Sequence, residues 1–202
     1  VLTRPFTEQD YANYERFIRD TFKLYVVDRN DVPELDKIAF VIDAIRMFRP
    51  NMPSGKEWLA NWSFAFADRL FIAEKSDPIV RASILAHEAQ HGVQWHRTTP
   101  QADVPHHLHM WWLYVVEPEA RIRLEVEALR AGNEVYSALT GTVDPATDAK
   151  KILEGGYVIT PELGDFSEQL YRPAELAISQ GLYSTEIGIA TVSHLRTAGL
   201  IV

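Results

Sequence analysis

Cysteine is absent from this chain, which excludes disulfide cross-links and thiolate metal ligands and leaves the redox compartment open. No apolar run approaches the ~20 residues a helix needs to cross a bilayer, so no membrane span is expected. Basic residues are outnumbered, 20 Lys and Arg against 28 Asp and Glu. The resulting net charge of −8, with no basic stripe to offset it, disfavours nucleic acid as a partner. Neither a glycine-rich phosphate loop nor a Gly-x-Ser-x-Gly nucleophile elbow occurs. No signal-like stretch opens the chain at Val1, so secretion and a cytoplasmic location both stay open, as does the oligomeric state.

What is present suffices for a packed core. Hydrophobic residues make up 47% of 202, and one domain over 1–202 is expected. Its most informative stretch is His87-Glu88-Ala89-Gln90-His91. Two histidines four apart project from one helical face, as two imidazoles binding one zinc ion must. Glu88, between them, lies within reach of a water activated there. Asp77 and Pro78 read as an N-cap and first-turn proline. Ala82, Leu85, Ala86, Ala89 and Val93 recur at helical spacing and should face the core, while Ile84, His87, Glu88, His91 and Gln94 form an adjacent stripe able to line a cleft. His96 is out of phase with the two histidines, so a third ligand should come from another segment.

The segment 117–129 supplies it best. Pro118 can open a helix, and Glu125 then shares a stripe with Arg121, Ala128 and Gly132. Small residues at 128 and 132 would let this helix approach the first closely enough for a carboxylate to reach zinc. Glu127 is the rival, rotated about 200° round the helix from Glu125. Asp103, His106, His107 and His109 are further alternatives. Two histidines and a carboxylate leave the fourth zinc position open for water, as catalysis requires.

These residues resemble the zincin superfamily, specifically the gluzincin-like group in which a second helix donates a glutamate. Leu85-Ala86-His87-Glu88-Ala89-Gln90-His91-Gly92-Val93-Gln94-Trp95 is similar to the HExxH-x-V-Q variant of bacterial metallopeptidase-like proteins, and Glu125-Val126-Glu127-Ala128 matches their Glu-x-x-Ala signature. The resemblance covers about residues 64–132, the expected metal-binding core. It departs from families with Glu-x-x-x-Asp, because Leu129 stands where their supporting aspartate would be. It implies a zinc metallopeptidase acting on a peptide or protein substrate. His87, His91 and Glu125 would be the ligands, Glu88 the general base, and a tyrosine, histidine or arginine the oxyanion donor. Tyr114, Tyr157, Tyr171 and His194 are the candidates weighed for that last role. The same chemistry would serve a hydrolase of a non-peptide amide. A non-catalytic zinc-containing binding or structural module of a bacterial assembly is the other alternative, although such a module has no need of Glu88.

The expected fold is α+β: a mostly helical zincin-like arrangement with a small sheet beside the motif helix. Residues 62–72 read as a strand, either buried or at a cleft edge where substrate could pair. Residues 9–27 and 33–48 read as amphipathic helices joined to the strand through a loop over 49–55. Later segments at 144–156, 161–170, 173–180 and 185–196 read as short helices. The span between the two metal-bearing helices concentrates His96, His106, His107, His109, Trp111 and Trp112, which a loop packed over the core by its tryptophans explains better than a second metal site or a pH-sensitive lid.

Overall fold

The computed structural model describes residues 1–32, 35–47, 54–61, 63–73, 77–98, 113, 117–143 and 161–202. Among them the chain is mostly helical with one three-stranded sheet, an α+β composition. None of the described helices is long and apolar enough to cross a membrane.

Helix α1 (Glu8–Phe22) opens with a capping box, in which Thr7 Oγ1 accepts from the Asp10 N–H and Asp10 accepts from the Thr7 N–H. Arg4 grips the same carboxylate through two contacts of 2.7 Å. The expectation of a helix as far as residue 27 fails at Lys23, whose left-handed φ of 59° ends it. Beyond it, Leu24-Tyr25-Val26-Val27 favours extended backbone, and β1 (Tyr25–Val26) pairs in parallel with β3 (Arg69–Phe71). The expected single strand over 62–72 is instead a hairpin of β2 (Phe64–Phe66) and β3. The pair is antiparallel with Ala65 opposite Leu70, and Ala67 occupies the left-handed turn position at φ 56°. In the order β1-β3-β2 among the described residues, β3 is central and β2 lies at one end.

A 3-10 turn (Arg29–Asp31) leads from β1 to α2 (Leu35–Arg46), which buries Leu35, Ala39 and Ile42. Helix α3 (Gly55–Asn61) was not anticipated, although Ser54 and Glu57 form a capping box at its start. Val32 and Leu35 pack with Phe71 beneath the sheet.

The principal core lies between α1, α4 (Pro78–Thr98), α5 (Pro118–Thr140) and α7 (Glu186–Thr197). Asp77 caps α4, its Oδ1 accepting from the Ile79 N–H at 2.8 Å, and the five residues expected to face the core are all buried. Helix α5 starts at Pro118 and ends on Gly141 in the left-handed conformation. The two short helices expected at 161–170 and 173–180 are one helix, α6 (Pro161–Ser179), with Pro173 inside it. Ser167, Tyr171, Ala174 and Ile178 are buried on both sides of the proline, so packing against α5 carries the helix across the missing N–H. The chain ends meet through a Leu2–Ile201 bridge.

One buried carboxylate fastens α7. Glu134 on α5 is fully buried and accepts from Arg130, from the Ser184 and Thr185 N–H groups and from Thr185 Oγ1. Its charge faces the positive N-terminal end of α7. A Cβ on Gly188 would stand 1.8 Å from Glu134 Oε2, so that position admits only glycine without moving the carboxylate. Glu134→Ala strands these donors, and a loss of about 3 kcal/mol is expected in urea unfolding. A loss well under 1 kcal/mol would mean that water replaces the carboxylate.

Candidate metal centre

Close approach of α4 and α5 builds the site. Ala128 is fully buried, and a Cβ on Gly132 would meet Ser83 O at 3.0 Å and His87 Cβ at 3.5 Å. The small residues thus sit where the two helices touch, as their spacing suggested. One turn before Ala128, buried Glu125 turns to the two histidines of α4.

His87, His91 and Glu125 converge. Their Nε2 atoms lie 3.2 Å apart, and each is 3.7 Å from Glu125 Oε2. Donors held about 2.1 Å from a tetrahedral ion stand about 3.4 Å from one another, so the triangle fits a single ion. Two imidazole nitrogens and a carboxylate oxygen also suit such an ion chemically. Among the described residues no fourth histidine or carboxylate joins this cluster.

The histidine rings are nearly perpendicular, at 82°. His91 is oriented from behind, where its Nδ1 lies 2.8 Å from Gln94 Oε1. A proton on Nδ1 donated to that oxygen leaves the Nε2 lone pair aimed at the ion site. Gln94 is held in turn, its Nε2 donating to Leu124 O at 2.9 Å and to Glu127 Oε2 at 3.0 Å. Glu127 Oε1 accepts from Gln90 Nε2 and Arg97 Nη1. The rival third ligand therefore lies outside the cluster and anchors the glutamine that orients His91. Its helical phase carried that distinction, but its supporting role had no sequence signal.

Burial sets the electrostatics. Glu88 is only 5% exposed, and burial, reinforced by the Glu125 charge, pushes its carboxyl up to about 8 against the opposing pull of His91 and Arg29. His87 is held low by burial and by the neighbouring His91 charge. Burial would lower His91 too, but the Glu125 carboxylate outweighs it by charge and hydrogen bond, helped by Glu88 and Gln94, and raises it. The two histidines are thus driven apart, His91 toward the charged form beside Glu125 and His87 toward the neutral one.

Arg29, which sequence reasoning passed over, is brought into the field of Glu88 by the turn after β1. His194 goes elsewhere, stacking on Phe17 of α1 with ring centroids 4.2 Å apart. Tyr171 accepts a hydrogen bond from Asn133 and packs on Ile122 and Val126. Tyr114, Tyr157, Asp103, His106, His107, His109 and both tryptophans at 111 and 112 lie outside the described residues, as does the expected helix at 144–156. His96 is exposed near the end of α4. Comparison with family models, curated proteins and solved structures returns no match for this chain.

Two outcomes are expected in divalent-ion titrations against a chromophoric chelator. Gln94→Ala should weaken ion binding about 10- to 100-fold by freeing the His91 ring, while Gln94→Glu, which can still accept from Nδ1, should lose less. Ion binding must also displace the His91 proton, whose affinity is raised above the ordinary histidine range. Apparent affinity should therefore climb with pH through neutrality, by about tenfold per unit for each proton displaced. A flat profile would remove His91 from the ligand set.

Proposed function

We propose that this chain is a zinc-dependent metallopeptidase with a reduced zincin-like fold. The observation that carries the reading is the convergence of His87, His91 and Glu125 beside a buried Glu88, the one acidic group placed between the two histidines on the same helix. The donor set is that of hydrolytic zinc sites with three protein ligands, which keep a coordination position for water or substrate. Zinc bound there supplies Lewis acidity, lowering the pKa of a water and polarising a carbonyl.

The protein's own groups divide the remaining work. Glu88 accepts the proton of the attacking water and returns it to the departing amine. Burial suits it to this exchange, because a carboxyl raised to about 8 in the metal-free site is a stronger base than an exposed one once ionised. Gln94 and Glu127 keep the His91 ring fixed while charge changes beside it. Peptide substrates are favoured by the sheet. Among the described residues β2 is paired on one side alone, and its Phe66 leans on Trp95 of α4, 5.4 Å between ring centroids. The sheet thus stands beside the helix that carries both histidines, where extended substrate backbone could align with its strands.

The deciding experiment is cleavage of a peptide library by zinc-loaded protein and by its Glu88→Gln variant. Wild type should cleave, and the variant should retain zinc with its rate lowered about 10²- to 10⁴-fold. Zinc retained with no peptide cleaved would overturn the peptidase reading. Equal activity in both proteins would remove Glu88 as the base.

A further inference from the structure

Gln90 fills the second variable place of the His-Glu-x-x-His run, and it is fully buried. An amide buried without partners is costly, so both of its ends need accounting for. Its Nε2 donates to Glu127 Oε1 at 3.0 Å, and its Oε1 accepts from the Ile187 N–H at 3.4 Å. Ile187 lies in the first turn of α7, where a backbone N–H has no acceptor within its own helix. The Gly188 N–H goes to Thr185 Oγ1, the Ser184 and Thr185 N–H groups go to Glu134, and the Ile187 N–H goes to Gln90.

The chemistry of these partners fixes the direction of every link. A carboxylate oxygen accepts and a backbone N–H donates, so the Gln90 amide has one orientation between them. Gln94 is set the same way. Its Nε2 faces two acceptors, Leu124 O and Glu127 Oε2, which turns its Oε1 to His91 Nδ1 at 2.8 Å. That oxygen calls for a proton on Nδ1 and leaves the Nε2 lone pair for the cluster with His87 and Glu125. A directed path therefore runs from the first turn of α7 through Gln90, Glu127 and Gln94 to the His91 ring. Arg97 also joins Glu127 to α7, through Glu186, but both of its ion pairs are solvent-exposed and contribute little. Buried Gln90 is the stronger tie.

We propose that Gln90 is a positioning residue of the metal centre: it makes the orientation of His91 depend on the seating of α7, and through it a bound ion tightens the first turn of α7. The proposal rests on the metal-centre half of the proposed function and needs no peptide cleavage. Coupling of this kind is reciprocal, so the factor that the Gln90 links add to ion affinity is returned to those links when the ion binds.

The test measures zinc affinity, by competition with a chromophoric chelator, for the full chain, Gln90→Met, Gln94→Ala and the double variant, each checked by thermal melting. Methionine keeps the length of the side chain and removes both hydrogen bonds. Gln90→Met should weaken zinc binding about 3- to 10-fold, less than Gln94→Ala does, because it lies further from the ring. In the Gln94→Ala background it should cost less than about twofold, since the path to His91 is already cut. Hydrogen exchange gives the reciprocal readout without touching Gln90. Zinc should slow the Ile187 amide at least about threefold more than the amides of α6, and Gln94→Ala should erase that excess. A glutamine that serves packing alone would lower the melting temperature and leave zinc affinity and the excess protection unchanged. Unchanged zinc affinity in Gln90→Met overturns the proposal, as does a fully additive loss in the double variant or uniform slowing across α6 and α7. If Gln90→Met does not fold, the exchange experiment decides by itself. Failure of the unmutated chain to bind zinc overturns the metal-centre reading, and this proposal with it.

Discussion

Helices α4 and α5 can share one metal site only if their backbones come unusually close, and the rest of the arrangement depends on that contact. At Gly132 any side chain would press on the Ser83 carbonyl. At Ala128 a methyl group is already fully buried. A larger residue at either position would force the helices apart or off axis, and typical overpacking costs about 1–3 kcal/mol. Separation would act on the site before it acted on the fold. Glu125 is a turn from the contact, and its oxygen is already 3.7 Å from each histidine nitrogen. An outward shift of an ångström would leave a two-ligand site.

The same helix presents a second carboxylate in a different capacity. Glu125 is spent on the site, where it raises the cost of ionising Glu88 and draws His91 toward its charged form. Glu127, two residues on, is fully engaged with Gln90, Gln94 and Arg97. This division fits the geometry of a helix, since residues two apart point to different sides. At the centre, the carboxylates of Glu88 and Glu125 and the imidazoles of His87 and His91 shift one another's titration. Glu134, by contrast, is buried with four donors around it and serves cohesion. Two buried glutamates nine residues apart on one helix thus differ in setting: Glu125 faces the two histidines, and Glu134 faces the first turn of α7.

The helical phase of α4 was legible because its core face, its caps and its histidines obey one period, and Ala82, Leu85, Ala86, Ala89 and Val93 are all buried accordingly. Phase also separated Glu125 from Glu127. What escaped the sequence depended on contacts between distant segments. β1 has two residues, too few to show alternation, and pairing with Arg69 and Leu70 is what makes a strand of them. The β2–β3 turn carries Ala67 and Asp68 rather than the glycine or asparagine that usually marks a hairpin, so two strands read as one. Pro173 looked like a helix boundary, yet burial on both sides of it outweighs one lost hydrogen bond. Arg29 is a single cation between a turn and a strand, and only folding puts it near Glu88. The Ser54–Glu57 capping box was the one local signal of α3 that the sequence reading left unused.

Order at the His87, His91 and Glu125 cluster is also tied to stability at the far end of α5. The first turn of α7 receives Glu134 through Ser184 and Thr185, Gln90 through the Ile187 N–H, and Arg97 through Glu186. Gln90 and Arg97 both also bind Glu127, which holds Gln94, which orients His91. The N-terminus of α7 therefore anchors the hydrogen-bonded chain that fixes one imidazole. A change that loosens α7 relaxes Gln90 and Arg97 together, and Glu127 loses the donors that set its position. Metal affinity should then fall at sites remote from the metal, because ring orientation is itself a hydrogen-bonded property. Helix α7, which adds no member to the His87, His91 and Glu125 cluster, in this way supports the candidate metal site.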